Sequence, residues 1–403
     1  MRIALDDWQQ VREAFDFTPE FSHLGAAQFI ASHPLPVRQA IERHRRALDA
    51  NPVLYVEDNE YSLMERVREV AAKTLGVREP HEIAVTDSTT MGLGLLYSAL
   101  PLSRGDEIVT TDHEHYSHLE AIRGVQQRHG VRVTKVHLYE GIAAAARADA
   151  LVDRVLDAVT PQTRVVSVTW VHSDTGLKFP VARLAAALRV VNAGREPTRA
   201  VLLCLDGVHG FGVETDSMAD LGCDFMAAGT HKWIYGPRGT GLLWGRLDRW
   251  REMQRVIPSF TETMDAYADD EPLPPMDGRQ FTPGGFHSLE YRWAMADAFE
   301  FRQAIGEERI RARVHALNRR CREGLAAMPH VTLHTPLPEE LSAGITAFDV
   351  NGMKSDEAKR RLLDAGIIAT VAPYPSALLR LTPGIFNTEA EIDRALEVID
   401  ALR

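Results

Sequence analysis

Ala228-Gly229-Thr230-His231-Lys232-Trp233-Ile234-Tyr235-Gly236-Pro237-Arg238-Gly239-Thr240-Gly241 sets a primary amine, Lys232, in a run of glycine, threonine and proline. The glycines and Pro237 favour a tight turn in which the backbone can approach a flat ligand closely. Upstream, Leu203-Cys204-Leu205-Asp206-Gly207-Val208-His209-Gly210 reads as a buried strand that ends on a carboxylate, Asp206. An amine able to condense with an aldehyde, and a carboxylate able to keep a pyridine nitrogen protonated, are the two chemical needs of a pyridoxal phosphate site. A lone lysine beside a histidine carries no such message. The carboxylate upstream, in this order and strand context, gives the pair its meaning.

Outward from this pair, short β-like runs alternate with helix-length stretches. Candidate strands are Glu82–Thr86, Glu107–Thr111, Arg132–His137, Thr163–Val171, Ala200–Asp206 and Phe225–Ala228, with a further one at Gly241–Trp244. This alternation predicts βαβ units and a mostly parallel sheet covered by helices. Ligands of such sheets bind beyond the carboxyl ends of the strands, where Thr90, His115, Asp206 and Lys232 all fall. The C-terminal part reads as an α+β module. A long helix at Leu289–Leu325 leads to strands at Ile345–Val350, Ile367–Val371 and Ala377–Leu381, with helices at Ser355–Ala365 and Glu389–Leu402. The acidic, proline-rich stretch Asp265–Met276 reads as a long surface loop.

Composition narrows the partners. With 403 residues, 45% hydrophobic and 25% charged, the chain is long enough for two domains that share packing. A formal charge of −11 disfavours nucleic acid and anionic membrane surfaces. No apolar run approaches the ~20 residues of a membrane span. The opening Met1-Arg2-Ile3-Ala4-Leu5-Asp6-Asp7 has no apolar core of a signal peptide. Cys204, Cys223 and Cys321 stand at unrelated spacings that suggest neither a disulfide framework nor a zinc site. The expectation is a reduced, cytoplasmic protein.

These motifs resemble the class V aminotransferase-like enzymes of fold type I, a group that includes cysteine desulfurases, kynureninase and isopenicillin N epimerase. The resemblance runs from Phe21 to the C-terminal helix. Three features point to the isopenicillin N epimerase-like branch: Asp206-Gly207-Val208-His209 where desulfurases carry Asp-Gly-x-Gln, the segment Asn51-Pro52-Val53, and the absence of a late cysteine. The resemblance implies an α/β fold with a mostly parallel, seven-stranded-type sheet in a large cofactor domain, residues 61–288. It also implies a smaller α+β domain, residues 289–403, against which an N-terminal segment, residues 1–60, packs.

Site residues follow from the same resemblance, position by position. Lys232 would carry pyridoxal 5'-phosphate and Asp206 would pair with its ring nitrogen. Asp87-Ser88-Thr89-Thr90-Met91-Gly92 follows a strand and opens a helix; by itself it reads as an ordinary N-cap, and by resemblance as the phosphate loop, with Thr90 and Thr89 as ligands. His115 would stack on the pyridine face and serve as an acid or base. Ser173 and His209 would lie near the phenolic oxygen. Thr230 and His231 would reach the phosphate. Thr282 would reach the phosphate of a second subunit, which implies a homodimer with shared active sites. Arg380 would take the α-carboxylate of a small amino acid-like substrate through its guanidinium fork. His172 reads equally as a substrate-side group or as a strand-end residue. His113 and His118 read as surface or supporting residues.

A desulfurase needs a thiolate on the loop before the arginine, and Val371-Ala372-Pro373-Tyr374-Pro375-Ser376 has none. Activation of Cα with epimerase-like chemistry is the expected outcome. A lyase, an aminotransferase and an oxygen-dependent decarboxylating enzyme stand as alternatives on the same scaffold, and a non-catalytic cofactor-binding protein stands as the alternative of a different class.

Overall fold

The computed structural model describes residues 7–25, 29, 31–139 and 147–402, so the opening stretch Met1–Asp6 lies outside them. The strands in chain order are β1 (Ser22–His23), β2 (Ile83–Thr86), β3 (Glu107–Thr111), β4 (Arg132–Val136), β5 (Thr163–Thr169), β6 (Leu202–Asp206), β7 (Phe225–Gly229), β8 (Gly241–Gly245), β9 (Val331–Leu333), β10 (Thr346–Val350), β11 (Ile367–Ile368), β12 (Thr370–Val371) and β13 (Leu379–Leu381).

Seven of them form one sheet in the order β2-β8-β7-β6-β5-β3-β4. Six run parallel and β8 runs against its two neighbours. The reason is chain length: residues 230–240 between β7 and β8 are too few for the helical crossover that a parallel return requires. The central strands are covered on both faces, so β6, β7 and β8 read as apolar runs rather than alternating, while the edge strand β4 is partly exposed. On β6, Leu203 and Leu205 join one core cluster while Leu202 and Cys204 join another, as the period of two requires. This is the mostly parallel, seven-stranded α/β architecture expected from the sequence.

A smaller antiparallel sheet, β12-β13-β10-β9, packs with the helices Glu307–Ala326, Ser355–Asp364 and Glu389–Asp400. The N-terminal segment is tied to this region by the parallel pair β1–β11 and by Arg12, which grips Glu391 at 2.9 Å and the Phe386 carbonyl at 2.6 Å.

Three sequence-derived elements need correction. The helix expected over Leu289–Leu325 is two helices, Leu289–Ile305 and Glu307–Ala326, broken at Gly306 with φ +98°. The first packs on the helices Leu35–Ala50 and Pro52–Leu75, with Trp293 against His44 and Tyr55; the second packs on the small sheet. The strand expected over Ile367–Val371 is two short strands serving two sheets, β11 beside β1 and β12 beside β13. The loop expected over Asp265–Met276 begins inside a helix, Glu262–Ala268.

Candidate active site

The connection after β7 builds the centre of the site. Gly236 N donates to the Thr230 carbonyl at 2.8 Å, and the Thr230 and Thr240 hydroxyls meet at 2.6 Å. Tyr235 takes the left-handed conformation, φ +59°. The turn these bonds close presents Lys232 and His231 to a cavity of about 240 Å³ beyond the carboxyl ends of the parallel strands. Thr89, Thr90, His115, Ser173, Asp206 and His209 line the same cavity.

Lys232 Nζ stands 3.0 Å from His209 Nε2. The other nitrogen of that ring, Nδ1, faces the Trp233 indole N–H at 3.3 Å. Indole can only donate, so Nδ1 accepts and the neutral ring carries its proton on Nε2, directed at Lys232. Burial and the Lys232 charge hold His209 well below the usual imidazole range, so it stays neutral. Burial also brings the Lys232 amine down to about 8, against the pull of the Asp206 carboxylate. A lysine in this state is a nucleophile and a base near neutral pH. Asp206 ends β6 with Oδ1 accepting from Val208 N at 3.1 Å. Burial raises its carboxyl, and the His118 imidazole and Lys232 oppose the rise.

The floor opposite this pair is a helix N-terminus. Ser88 caps the helix Thr89–Ala99, its hydroxyl accepting from Met91 N at 3.1 Å. The next hydroxyl, Thr89 Oγ1, is buried without a hydrogen-bond partner. An orphaned hydroxyl beside free helix N–H groups suits a phosphate. With an amine, a buried carboxylate and this anion cradle around one cavity, the residues present fit pyridoxal phosphate. His115 caps the next helix, Tyr116–His129, with Nδ1 2.8 Å from Ser117 Oγ, and burial lowers it to about 4.

Four residues singled out in the sequence do not line the cavity. The Thr230 hydroxyl is taken up by Thr240. Val171 and Ser173 line the wall, so His172 between them points away, buried, with neither ring nitrogen hydrogen-bonded. The Thr282 hydroxyl is committed within the chain: it donates to the Gly278 carbonyl at 3.0 Å and accepts from Val85 N at 3.1 Å and Arg68 at 3.2 Å. Arg380 is fully buried behind the wall, holding the Ser173 carbonyl and, at 2.9 Å, the Val371 carbonyl. Its Nε–H has no partner, and burial lowers the guanidinium to about 10.

Sequence reasoning passed over two features. Tyr374 enters the cavity from the loop before Arg380, its hydroxyl 2.7 Å from Ser173 Oγ and its ring 6.0 Å from that of His115. The signal was available, since that loop was already the place to look for a reactive group. The other is the pairing of His118 with Glu114. Of its two readings, surface or supporting, His118 is the second: it is fully buried, with Nδ1 2.9 Å from Glu114 and Nε2 2.6 Å from Ser167 Oγ and 2.7 Å from Tyr97 OH. Its spacing of four from Glu114 was the available clue. The described cysteines are all free and buried, and none lines the cavity.

The aminotransferase class-V family model matches residues 31–394. The chain is 30% identical to isopenicillin N epimerase of Streptomyces clavuligerus, over 99% of both chains. It is 26% identical to a cysteine desulfurase of Pectobacterium carotovorum, covering 83% of this chain and 80% of that one. A solved mutant of the cystine C–S lyase C-DES, with glycine covalently linked to its pyridoxal phosphate cofactor, superposes with a TM-score of 0.83 at 22% identity over 96% of this chain and 98% of that one. The apo cysteine desulfurase of Thermococcus onnurineus gives the same score at 22% identity over 100% and 98%. The chain therefore belongs to the class-V aminotransferase family, and it is a pyridoxal phosphate-dependent enzyme.

Proposed function

We propose that the enzyme activates the Cα of an amino acid or amino acid-like substrate and inverts it, with Lys232 carrying the cofactor and Asp206 holding its ring nitrogen. When bound, pyridoxal phosphate supplies an electron sink for the charge that develops at Cα. The residues of the chain do the rest. Ser88, Thr89, Thr90 and His231 hold the phosphate, and the His115 ring fixes the cofactor plane. Lys232 Nζ, brought down to about 8 so that a share of it is unprotonated near neutral pH, takes the Cα proton, and His209 Nε2–H orients that amine.

Inversion requires a second proton carrier, and one observation supports it. The cavity that holds Lys232 is also lined by His115 and by the Tyr374 hydroxyl. Burial raises the Tyr374 hydroxyl, so it keeps its proton at neutral pH and is available to deliver it. The resemblance to isopenicillin N epimerase supports the same reading. Arg380 takes the substrate carboxylate by exchanging one of its two backbone carbonyls for it. The working assembly is a homodimer, supported by exposed aromatic side chains beside Thr282: Tyr61 and Phe260 line one cleft with it, and Phe286, 88% exposed, stacks edge-on against Phe260. Among the described residues no helix is long and apolar enough to cross a membrane.

The test is turnover of a panel of L- and D-amino acids and short peptides in deuterated water. Epimerisation places solvent deuterium at Cα in both recovered substrate and inverted product, with no keto acid and no ammonia. Accumulating keto acid would replace this reading with transamination, and ammonia with an unsaturated fragment would replace it with elimination. Oxygen uptake with carbon dioxide release would replace it with oxidative decarboxylation.

A further inference from the structure

At the far edge of the large sheet, three side chains outside the cavity converge. Asp112 directly follows β3 and His137 directly follows β4. The two strands pair in parallel up to Thr111 and Val136, and Asp112 N extends that ladder to the Val136 carbonyl at 3.1 Å. Asp112 and His137 are therefore held side by side by the sheet rather than by a loop. His113 joins them: its ring stacks on buried Tyr139 at 4.3 Å and 16°, with the Tyr139 hydroxyl 3.2 Å from Nδ1. That stack leaves Nε2 as the nitrogen turned to Asp112.

The spacing admits one ion in place of the hydrogen bond that now joins His137 Nδ1 to Asp112 Oδ2. His137 Nδ1 lies 2.7 Å from Asp112 Oδ2, and His113 Nε2 lies 3.2 Å from Asp112 Oδ1. One ligand atom from each of the three residues falls within 4.8 Å of the others. Donors bonded to one ion at about 2.0–2.1 Å stand roughly 3 Å apart, so small side-chain rotations suffice to close the set. His113 Nε2 is buried and makes no hydrogen bond, which leaves its lone pair or its proton unused. Asp112 and His137 are exposed, so an ion can reach the group from solvent.

We propose that Asp112, His113 and His137 bind one first-row divalent ion of the zinc, cobalt or nickel class, which clips the ends of β3 and β4 together. Two imidazoles and one carboxylate select these ions over magnesium and calcium, which demand oxygen ligands. Three protein ligands leave the remaining positions to water. Among the described residues β4 is an edge strand, paired on one side only, so a clip at its end acts where the sheet is most easily opened.

The experiment uses untagged holoenzyme, stripped with chelator and titrated with Co2+ while its ligand-field absorption is followed outside the cofactor band, then with Zn2+ by equilibrium dialysis. One equivalent per chain is expected, with a rise in Tm on loading. Asp112→Asn and His137→Ala should each weaken binding by at least about tenfold, while the cofactor spectrum and the metal-free Tm stay as in the parent. If His137→Ala lowers cofactor content, His137→Gln takes its place. Absence of a stoichiometric ion in the parent enzyme overturns the proposal, as does unchanged binding in both variants, which would put the ion elsewhere. Equal competition by Mg2+ overturns the assigned ion class.

Discussion

Lys232 gains its reactivity from what surrounds it. An exposed lysine is almost wholly protonated at neutral pH, whereas burial brings this amine to about 8. Condensation with the cofactor needs the neutral amine, so reconstitution of cofactor-free enzyme should speed up as pH rises through about 8 rather than about 10. Asp206 pulls the amine upward, so Asp206→Asn should move that midpoint lower still. Absorbance-monitored reconstitution between about pH 6 and pH 10 checks both, and a midpoint near 10 contradicts the burial argument. In turnover, Asp206→Asn should cost about 3–4 kcal/mol of barrier, the scale of losing one preorganised electrostatic partner, while cofactor still binds. Arg380→Lys keeps a charge but cannot hold two carbonyls or a carboxylate as a fork. Its expected effect is a KM raised by about tenfold or more for amino acids and unchanged handling of amines that lack a carboxylate.

Among the elements, the break at Gly306 separates what one continuous helix would fuse. The helix before it is bound to the N-terminal helices, and the helix after it to the small sheet. Arg302 spans the break, holding the Trp233 carbonyl at 2.7 Å, the Gly212 carbonyl at 2.9 Å and Glu307. The backbone next to Lys232 is thus anchored to the same helix end. At φ +98° an L-residue is strained, so Gly306→Ala should cost about 1–3 kcal/mol in denaturant unfolding. The loss should appear as a lower midpoint, and cofactor absorbance should fall together with helicity because the break and the lysine turn share Arg302. No change in midpoint would show that the helix junction is free to readjust.

For the whole molecule, the exposed aromatics mark the surface that the homodimer would cover. Phe286→Asp places a charge in that surface and should shift sedimentation from dimer to monomer at micromolar concentration. If the active sites are shared, cofactor retention should fall along with it. A parent enzyme that sediments as a monomer with full cofactor content would remove the dimer from the proposed function.

The order of strands and helices, and the two chemical groups at the strand ends, were legible in the sequence because each depends on local periodicity. A strand buried on both faces is apolar throughout, and β6 and β7 read that way directly. Asp206 ends β6 and Lys232 lies just beyond β7, where the fold rule puts ligands, which supported the placement read from the motif and the resemblance. Helix breaks and strand division were less legible: Gly306 is one residue in a strongly helical run, and the split of Ile367–Val371 depends on β1, far away in the chain. What each polar side chain does was decided only by tertiary structure. Thr230 spends its hydroxyl on Thr240, Thr282 on Val85 and Arg68, and Arg380 on two carbonyls, while Tyr374 and His118 meet partners distant in sequence. A hydroxyl or guanidinium withdrawn from water must be satisfied by whatever donors and acceptors the fold brings beside it, and those neighbours are not written in the residues that flank it.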